Sequence, residues 1–188
     1  MRKLLILFVL LIAILAGGPV ATIATGRASL QGDWRTANRD PVAIAPDPAT
    51  HPQAIVQVYA ARAFSWRGAF GVHTWIAVKT RAAAYYDVFE VLGWRARRGR
   101  SAIAVSRRAP DARWFGSDPQ LLLDLRGERA AALIEPIREA VAAYPFAERY
   151  EIWPGPNSNT FVAWVIREVD GLELELPVTA LGKDYLNG

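Results

Sequence analysis

The residues best suited to chemistry lie in two short stretches of this sequence. Asn157-Ser158-Asn159-Thr160 is a polar cluster that follows the rigid turn Trp153-Pro154-Gly155-Pro156 and opens an apolar segment, and His73 lies in an earlier apolar segment. A serine hydroxyl becomes a nucleophile when an aligned base takes its proton, and backbone N–H groups at a helix N-terminus can stabilise an oxyanion. Ser158 and His73 are therefore the candidate catalytic residues.

A serine–histidine pair normally needs a third group that orients the histidine. Asp87, Glu90 and Asn159 are the candidates for that role, and the spacing of the residues does not choose among them. A groove beside the same helix would instead bind a ligand without reacting with it. The residues predicted to line such a groove are Asn157, Asn159, Thr160, Trp75 and Trp153.

An architectural interpretation competes with both. Asn, Ser and Thr are all favoured N-cap residues, so the cluster can serve only to start a helix. Ser158 is then a helix-start residue, His73 a hydrogen-bonded core residue, and the chain a structural or assembly factor.

Composition excludes several classes of chemistry. The chain has no cysteine, which rules out disulfides, a cysteine-ligated zinc ion and a thiol nucleophile. With only two histidines, a multi-histidine metal centre is not expected, and we predict neither a metal nor a cofactor. The net charge of 22 − 18 = +4 is mildly basic and is compatible with anionic surroundings.

The N-terminal residues predict a membrane segment. Arg2 and Lys3 precede 23 uncharged positions, 4–26, which as a helix span about 34 Å, enough for a bilayer core of about 30 Å. A signal peptide cleaved after Ala24 or Ala28 and an uncleaved anchor both fit, and the anchor is favoured. In either case the folded part is expected on the periplasmic or extracytoplasmic side, secreted to the periplasm if the leader is cleaved, and nucleic acid is not an expected partner.

The rest of the chain predicts a proline-rich tether, residues 27–53, and one α+β domain, residues 54–188. Periodicity predicts strands over 54–61, 72–79, 85–92, 121–125 and 149–153, and helices over 128–144 and from the polar cluster to about 169. Pro136 should kink or break the first of these helices. Residues 172–188 should form an edge strand or a loop.

A basic stretch separates the third and fourth predicted strands. One interpretation is a patch that binds anionic lipid headgroups or an anionic envelope polymer. The other is a solvated loop whose charges discourage pairing at a sheet edge. Its members are Arg95, Arg97, Arg98 and Arg100.

Three motifs together resemble an uncharacterised bacterial membrane-associated domain family of unknown function. They are His73-Thr74-Trp75-Ile76, the segment 153–161 and Gly182-Lys183-Asp184-Tyr185. The order of elements more distantly resembles circularly permuted papain-like domains of the NlpC and lecithin retinol acyltransferase type. In those domains a strand histidine precedes a cysteine at a helix N-terminus, and Ser158 stands here in the cysteine's place.

The papain-type resemblance implies an antiparallel sheet packed by two main helices, with a groove at the helix start. Because serine replaces the thiol, the function that follows is a non-catalytic binding module of the cell envelope. The alternative is a Ser158/His73 hydrolase or acyl transferase acting on amide or ester bonds.

Overall fold

A computed structural model describes residues 1–26 and 32–187. Five antiparallel strands form one sheet in the order β4-β3-β2-β1-β5. The strands are β1 Ile55–Arg62, β2 Val72–Lys79, β3 Asp87–Val91, β4 Ile103–Arg107 and β5 Gln120–Arg126. The helices are α1 Arg2–Ala24, α2 Gly93–Ala96, α3 Glu128–Ala142 and α4 Ser158–Glu168, with 3-10 helices at Ser65–Ala69 and Tyr185–Asn187. The predicted α+β class with an antiparallel sheet and one apolar N-terminal helix is confirmed.

The two faces of the sheet are covered differently. Helices α3 and α4 pack on one face, where Val56, Ile76 and Phe89 contribute to the main core. The opposite face, which we call the loop face, carries a smaller core that includes Tyr59 and Trp75. Because successive side chains of a strand point to opposite faces, β2 sends Thr74, Ile76 and Val78 toward the helices and His73, Trp75 and Ala77 toward the loop face.

The proline-rich segment before the domain lies on it. The backbone N–H groups of Ile44 and Ala45 donate to Asp111 Oδ2 at 2.7 and 3.1 Å, and the Tyr86 hydroxyl donates to the carbonyl of Pro46 at 2.8 Å. These bonds hold the segment against the loop face. Residues 27–31 of the predicted tether and Gly188 of the predicted domain lie outside the described residues.

Several predicted elements differ from those observed. Residues 149–153 form no strand, and Ile152 and Trp153 are exposed there rather than paired in the sheet. A strand was not predicted at Ile103–Arg107, which follows the basic stretch. Helix α3 continues through Pro136 as one element, so the proline does not break it. Residues 172–184 are loop and turns, in agreement with the loop alternative of the prediction.

Helix α1 is long and apolar enough to cross a membrane, a description that a signal sequence also meets. Its half-buried residues are Ala16, Pro19, Thr22 and Ile23, which lie on one side of its last two turns. This half of the helix accounts for its contact with the 3-10 helix Ser65–Ala69. The apolar helix therefore reaches the folded domain at that 3-10 helix.

Candidate functional site

The start of helix α4 is held by its N-cap, Asn157. Its Oδ1 accepts from the N–H groups of Asn159 and Thr160 at 2.9 and 3.2 Å, and Thr160 Oγ1 accepts in return from the Asn157 N–H at 3.1 Å. Such a capping box satisfies backbone donors that the first turn of a helix leaves free. The Asn157 amide also donates to the carbonyls of Ile152 and Leu181, both at 3.0 Å.

The next polar residues join α4 to β2 and to the C-terminal segment. Asn159 Oδ1 accepts from Thr74 Oγ1 at 3.0 Å, and Asn159 Nδ2 donates to the carbonyls of Val72 and Leu181 at 3.1 and 2.8 Å. Thr160 Oγ1 donates to the carbonyl of Gly182 at 2.7 Å. We call Asn157, Asn159 and Thr160 the polar lock, because all three are buried and their side chains are occupied by these bonds.

Gly182 is required where the C-terminal segment meets the lock. Its φ is +89°, and a Cβ atom at this position would collide with the Asn157 amide nitrogen. A larger residue would therefore push Asn157 out of its cap position. This close approach accounts for the glycine in the third motif of the sequence.

Ser158 is the first residue of α4 and differs from its neighbours. Its carbonyl accepts from Thr74 Oγ1 at 3.2 Å, whereas its hydroxyl makes no hydrogen bond to any residue that the structure describes. The residue is only 3% exposed, and it lines a cavity discussed below. Its hydroxyl is thus the polar group of the cluster that remains available.

His73 points to the loop face and is enclosed there. Its ring stacks on Trp114 with centroids 3.6 Å apart, and its Nε2 lies 3.0 Å from Glu90 Oε2. Glu90 in turn lies 3.3 Å from a guanidinium nitrogen of Arg108. Of the three residues proposed to orient His73, Glu90 is the one that contacts it, while Asp87 pairs with Arg138 and Asn159 belongs to the polar lock.

Burial lowers the pKa of His73 below its usual range, since a charged ring is disfavoured away from water. Burial alone would raise the pKa of Glu90, but its bonds to His73 and Arg108 outweigh burial and lower it. The arrangement that fits both directions is a neutral His73 whose Nε2–H donates to an ionised Glu90, with Arg108 as the counter-charge. Arginine stays protonated, so the ion pair does not depend on a charge on His73.

The structure brings Ser158 and His73 to one cavity but to opposite faces of β2. Thr74, not His73, is the β2 side chain that contacts the start of α4. No hydrogen bond joins Ser158 to His73 in the described part of the chain. Trp75 is fully buried, with its Nε1 donating to the carbonyl of Pro110, whereas Trp153 is 74% exposed and lines the cavity.

The cavity, which we call the end cavity, lies where β1 and β3 end and β2 begins. Its volume is about 920 Å³, within the usual range for small-molecule sites. Ser158 and His73 line it together with Asn157 and Asn159. Large aromatic side chains contribute eight of its 25 lining residues: Trp34, Trp66, Trp94, Trp114 and Trp153 with Phe64, Phe70 and Phe115.

Four arginines line the same cavity, Arg39, Arg67, Arg97 and Arg98, and no acidic side chain is among the described residues that line it. None of the four has a carboxylate within ion-pair distance in the described chain, whereas Arg113, Arg126 and Arg138 elsewhere on the domain are paired. Of the predicted basic patch, Arg97 and Arg98 reach the cavity, and Arg95 donates to the carbonyl of Ser101. The cavity is therefore apolar in its wall and positive in its charge.

Most of the cavity wall was not predicted from the sequence. The Trp and Phe residues of the wall come from five separate segments, and Trp153 is the one of them that was predicted to line a groove. No group of three His, Asp or Glu side chains in the described ranges is arranged to hold a metal ion.

This α+β domain with an apolar N-terminal helix belongs to a family defined by sequence. The family model described as "Protein of unknown function (DUF3750)" matches residues 53–185, so the chain belongs to that family. This confirms the predicted membership of an uncharacterised domain family. No curated protein and no solved structure matches the chain, and the papain-type likeness stays a prediction.

The polar lock predicts a large loss of stability when Asn157 is changed. We expect Asn157→Ala to lower the free energy of unfolding by about 2–4 kcal/mol, since the cap is lost and two carbonyls lose a donor. Urea unfolding of the full chain in mild detergent, followed by circular dichroism, measures this. The matched control Ser158→Ala should change stability by less than about 0.5 kcal/mol, and equal losses in the two variants would contradict the assignment.

The neutral, buried His73 predicts a specific acid sensitivity. Its folded-state pKa lies below its unfolded value of about 6.5, so the unfolded state binds the extra proton and stability falls as pH drops below about 6.5. One such group changes the free energy of unfolding by at most about 1.4 kcal/mol per pH unit. Urea unfolding between pH 7.5 and 5 (roughly the histidine range) should give a shallower dependence of the free energy of unfolding on pH for His73→Gln than for the intact protein. A slope that survives in His73→Gln would show that other groups cause it.

Proposed function

We propose that this protein is a membrane-anchored, non-catalytic binding module whose ligand site is the end cavity. The observation that carries the proposal is the cavity itself, about 920 Å³ with eight Trp and Phe residues in its wall. A concave, apolar site with a few polar groups is the usual form of a small-molecule site. The ligand class that suits this wall has an extended apolar part.

The hydrogen-bond pattern at the start of α4 supports binding over catalysis. The side chains of the polar lock hydrogen-bond to backbone carbonyls and to Thr74, and these bonds position helix α4. Ser158 lacks an aligned base, because its hydroxyl makes no hydrogen bond to His73 in the described part of the chain, and His73 Nε2 lies against Glu90 instead. A serine hydroxyl without such a base stays protonated and unreactive.

The anchor gives the module its location. Arg2 and Lys3 precede the apolar helix, which favours an N-terminus on the cytoplasmic side and a folded domain on the extracytoplasmic side. The contact between α1 and the 3-10 helix Ser65–Ala69 brings one wall of the cavity next to the anchor. A ligand held in the membrane or at its surface would then have a short path into the cavity.

A neutral brominated alcohol tests whether the cavity binds. Bromine quenches tryptophan fluorescence on contact, and five of the seven tryptophans line the cavity. With the full chain in phosphatidylcholine nanodiscs, we expect 12-bromododecanol to cause a saturable loss of fluorescence. Ala63→Phe narrows the cavity and should abolish the saturable part, while Ala132→Phe, on the exposed side of α3, should retain it. Equal quenching of all three proteins would overturn the proposal.

A second candidate, a Ser158/His73 hydrolase or acyl transferase, is favoured by one observation: Glu90 hydrogen-bonds His73 as the third member of a triad would. A fluorophosphonate probe separates the two candidates. We expect no labelling that depends on Ser158, so the intact full-length protein and Ser158→Ala should give the same signal. Labelling that disappears in Ser158→Ala would establish the hydrolase instead.

A further inference from the structure

Two arginines of the end cavity share its wall with a tyrosine. Arg67 lies in the 3-10 helix Ser65–Ala69, Arg97 follows helix α2, and both line the cavity together with Tyr150. Burial raises the pKa of the Tyr150 phenol, and the nearby charges of Arg67 and Arg97 act in the opposite direction. The positive potential at the Tyr150 hydroxyl therefore comes from Arg67 and Arg97, which line the same cavity.

The Tyr150 ring is fixed by its packing. A Cβ atom added to Gly93 would lie 2.6 Å from the ring, so Gly93 allows the ring to sit directly against the backbone at the start of α2. The hydroxyl itself makes no hydrogen bond to a residue in the described ranges. Two cations and a free hydroxyl donor on a fixed ring match the needs of a phosphate group, which accepts several hydrogen bonds and carries negative charge.

The position of this cluster relative to α1 identifies the source of the phosphate. Arg67 belongs to the 3-10 helix that contacts α1, the helix that is long and apolar enough to cross a membrane. Trp66 and Phe70 flank it and are 58% and 51% exposed, as aromatic residues at a membrane interface commonly are. Arg67 therefore lies in the segment of the domain that is next to the apolar helix, and a membrane lipid is the source of phosphate adjacent to such a helix.

We infer that the end cavity takes up an anionic phospholipid from the leaflet beside α1, with its phosphate between Arg67, Arg97 and Tyr150 and its chains against the aromatic wall. This inference rests on the proposed function and adds the class of ligand. Charge complementarity supports it, because the cavity-lining arginines lack carboxylate partners and no acidic residue lines the cavity in the described chain. A zwitterionic lipid gains less, since its own cation repels these arginines.

Brominated lipids test the inference in the full chain. Brominated phosphatidylglycerol and brominated phosphatidylcholine are compared in phosphatidylcholine nanodiscs. We expect the first to quench half of the tryptophan fluorescence at a mole fraction about tenfold lower than the second, which is the ratio expected from a charge-assisted hydrogen bond to the phosphate. Arg67→Gln with Arg97→Gln should remove this preference. The matched double variant Arg100→Gln with Arg129→Gln removes the same charge away from the cavity and should keep it.

The outcomes separate this inference from the proposed function. If 12-bromododecanol still gives saturable quenching but the two lipids quench equally, the cavity binds and the inference about anionic lipid is wrong. Loss of preference in both double variants would assign it to general surface charge and would also overturn the inference. If soluble polyphosphate reverses the quenching by brominated phosphatidylglycerol at equal phosphate concentration, the occupant is an aqueous anionic polymer rather than a lipid.

Discussion

The organisation of this protein depends on the hydrogen bonds between the start of α4, strand β2 and the C-terminal segment. Asn159 bonds to both of the other elements, through Thr74 and Val72 on one side and Leu181 on the other. Because these bonds are buried, each lost partner would leave a desolvated polar group, which costs more than an exposed bond gains. The lock therefore fixes one wall of the end cavity and the position of the C-terminal segment together.

The cavity follows from how the sheet is covered. Helices protect one face, the proline-rich segment and the loop around Trp114 protect the other, and the end cavity lies where these two layers meet at the end of the sheet where β2 begins. Side chains from loops enclose that end, and large aromatic rings bridge the space without filling it. Buried charges on the loop face stay apart from it, since Glu90 is paired with His73 and Arg108, and this leaves the cavity with unpaired arginines.

The sequence predicts the regular elements well, because burial imposes a period on them. The expected spacing of apolar residues is present in strands β1, β2, β3 and β5 and in helices α3 and α4. The preference of Asn, Ser and Thr for the N-cap position located the start of α4. The strand predicted over residues 149–153 is wrong, because the apolar side chains of this segment line the end cavity and do not pack in a sheet. Strand β4 lacks a clear period because it is an edge strand in which Val105 is exposed.

The end cavity was only partly predictable, because its residues are brought together by strand register and by loops far apart in the sequence. Glu90 as the partner of His73 depends on the register of two strands, and register is not readable from spacing. The aromatic wall joins residues far apart in the chain, from Trp34 to Trp153, which no local motif encodes. Ser158 and His73 were predicted as a catalytic pair, but α4 carries Ser158 on the helix face of β2 whereas His73 points to the loop face, and no hydrogen bond joins them in the described residues.

Photo-crosslinking tests the central claim, that a membrane amphiphile occupies the end cavity, most directly. The full chain is reconstituted with a phospholipid that carries a diazirine in its acyl chain, and the crosslinked peptides are identified by mass spectrometry. The account predicts adducts on the peptides that contain Trp94, Trp114 and Phe115, which line the cavity. Adducts confined to α1 and to exposed Trp66 would contradict it, because the lipid would then contact the protein only at the membrane surface.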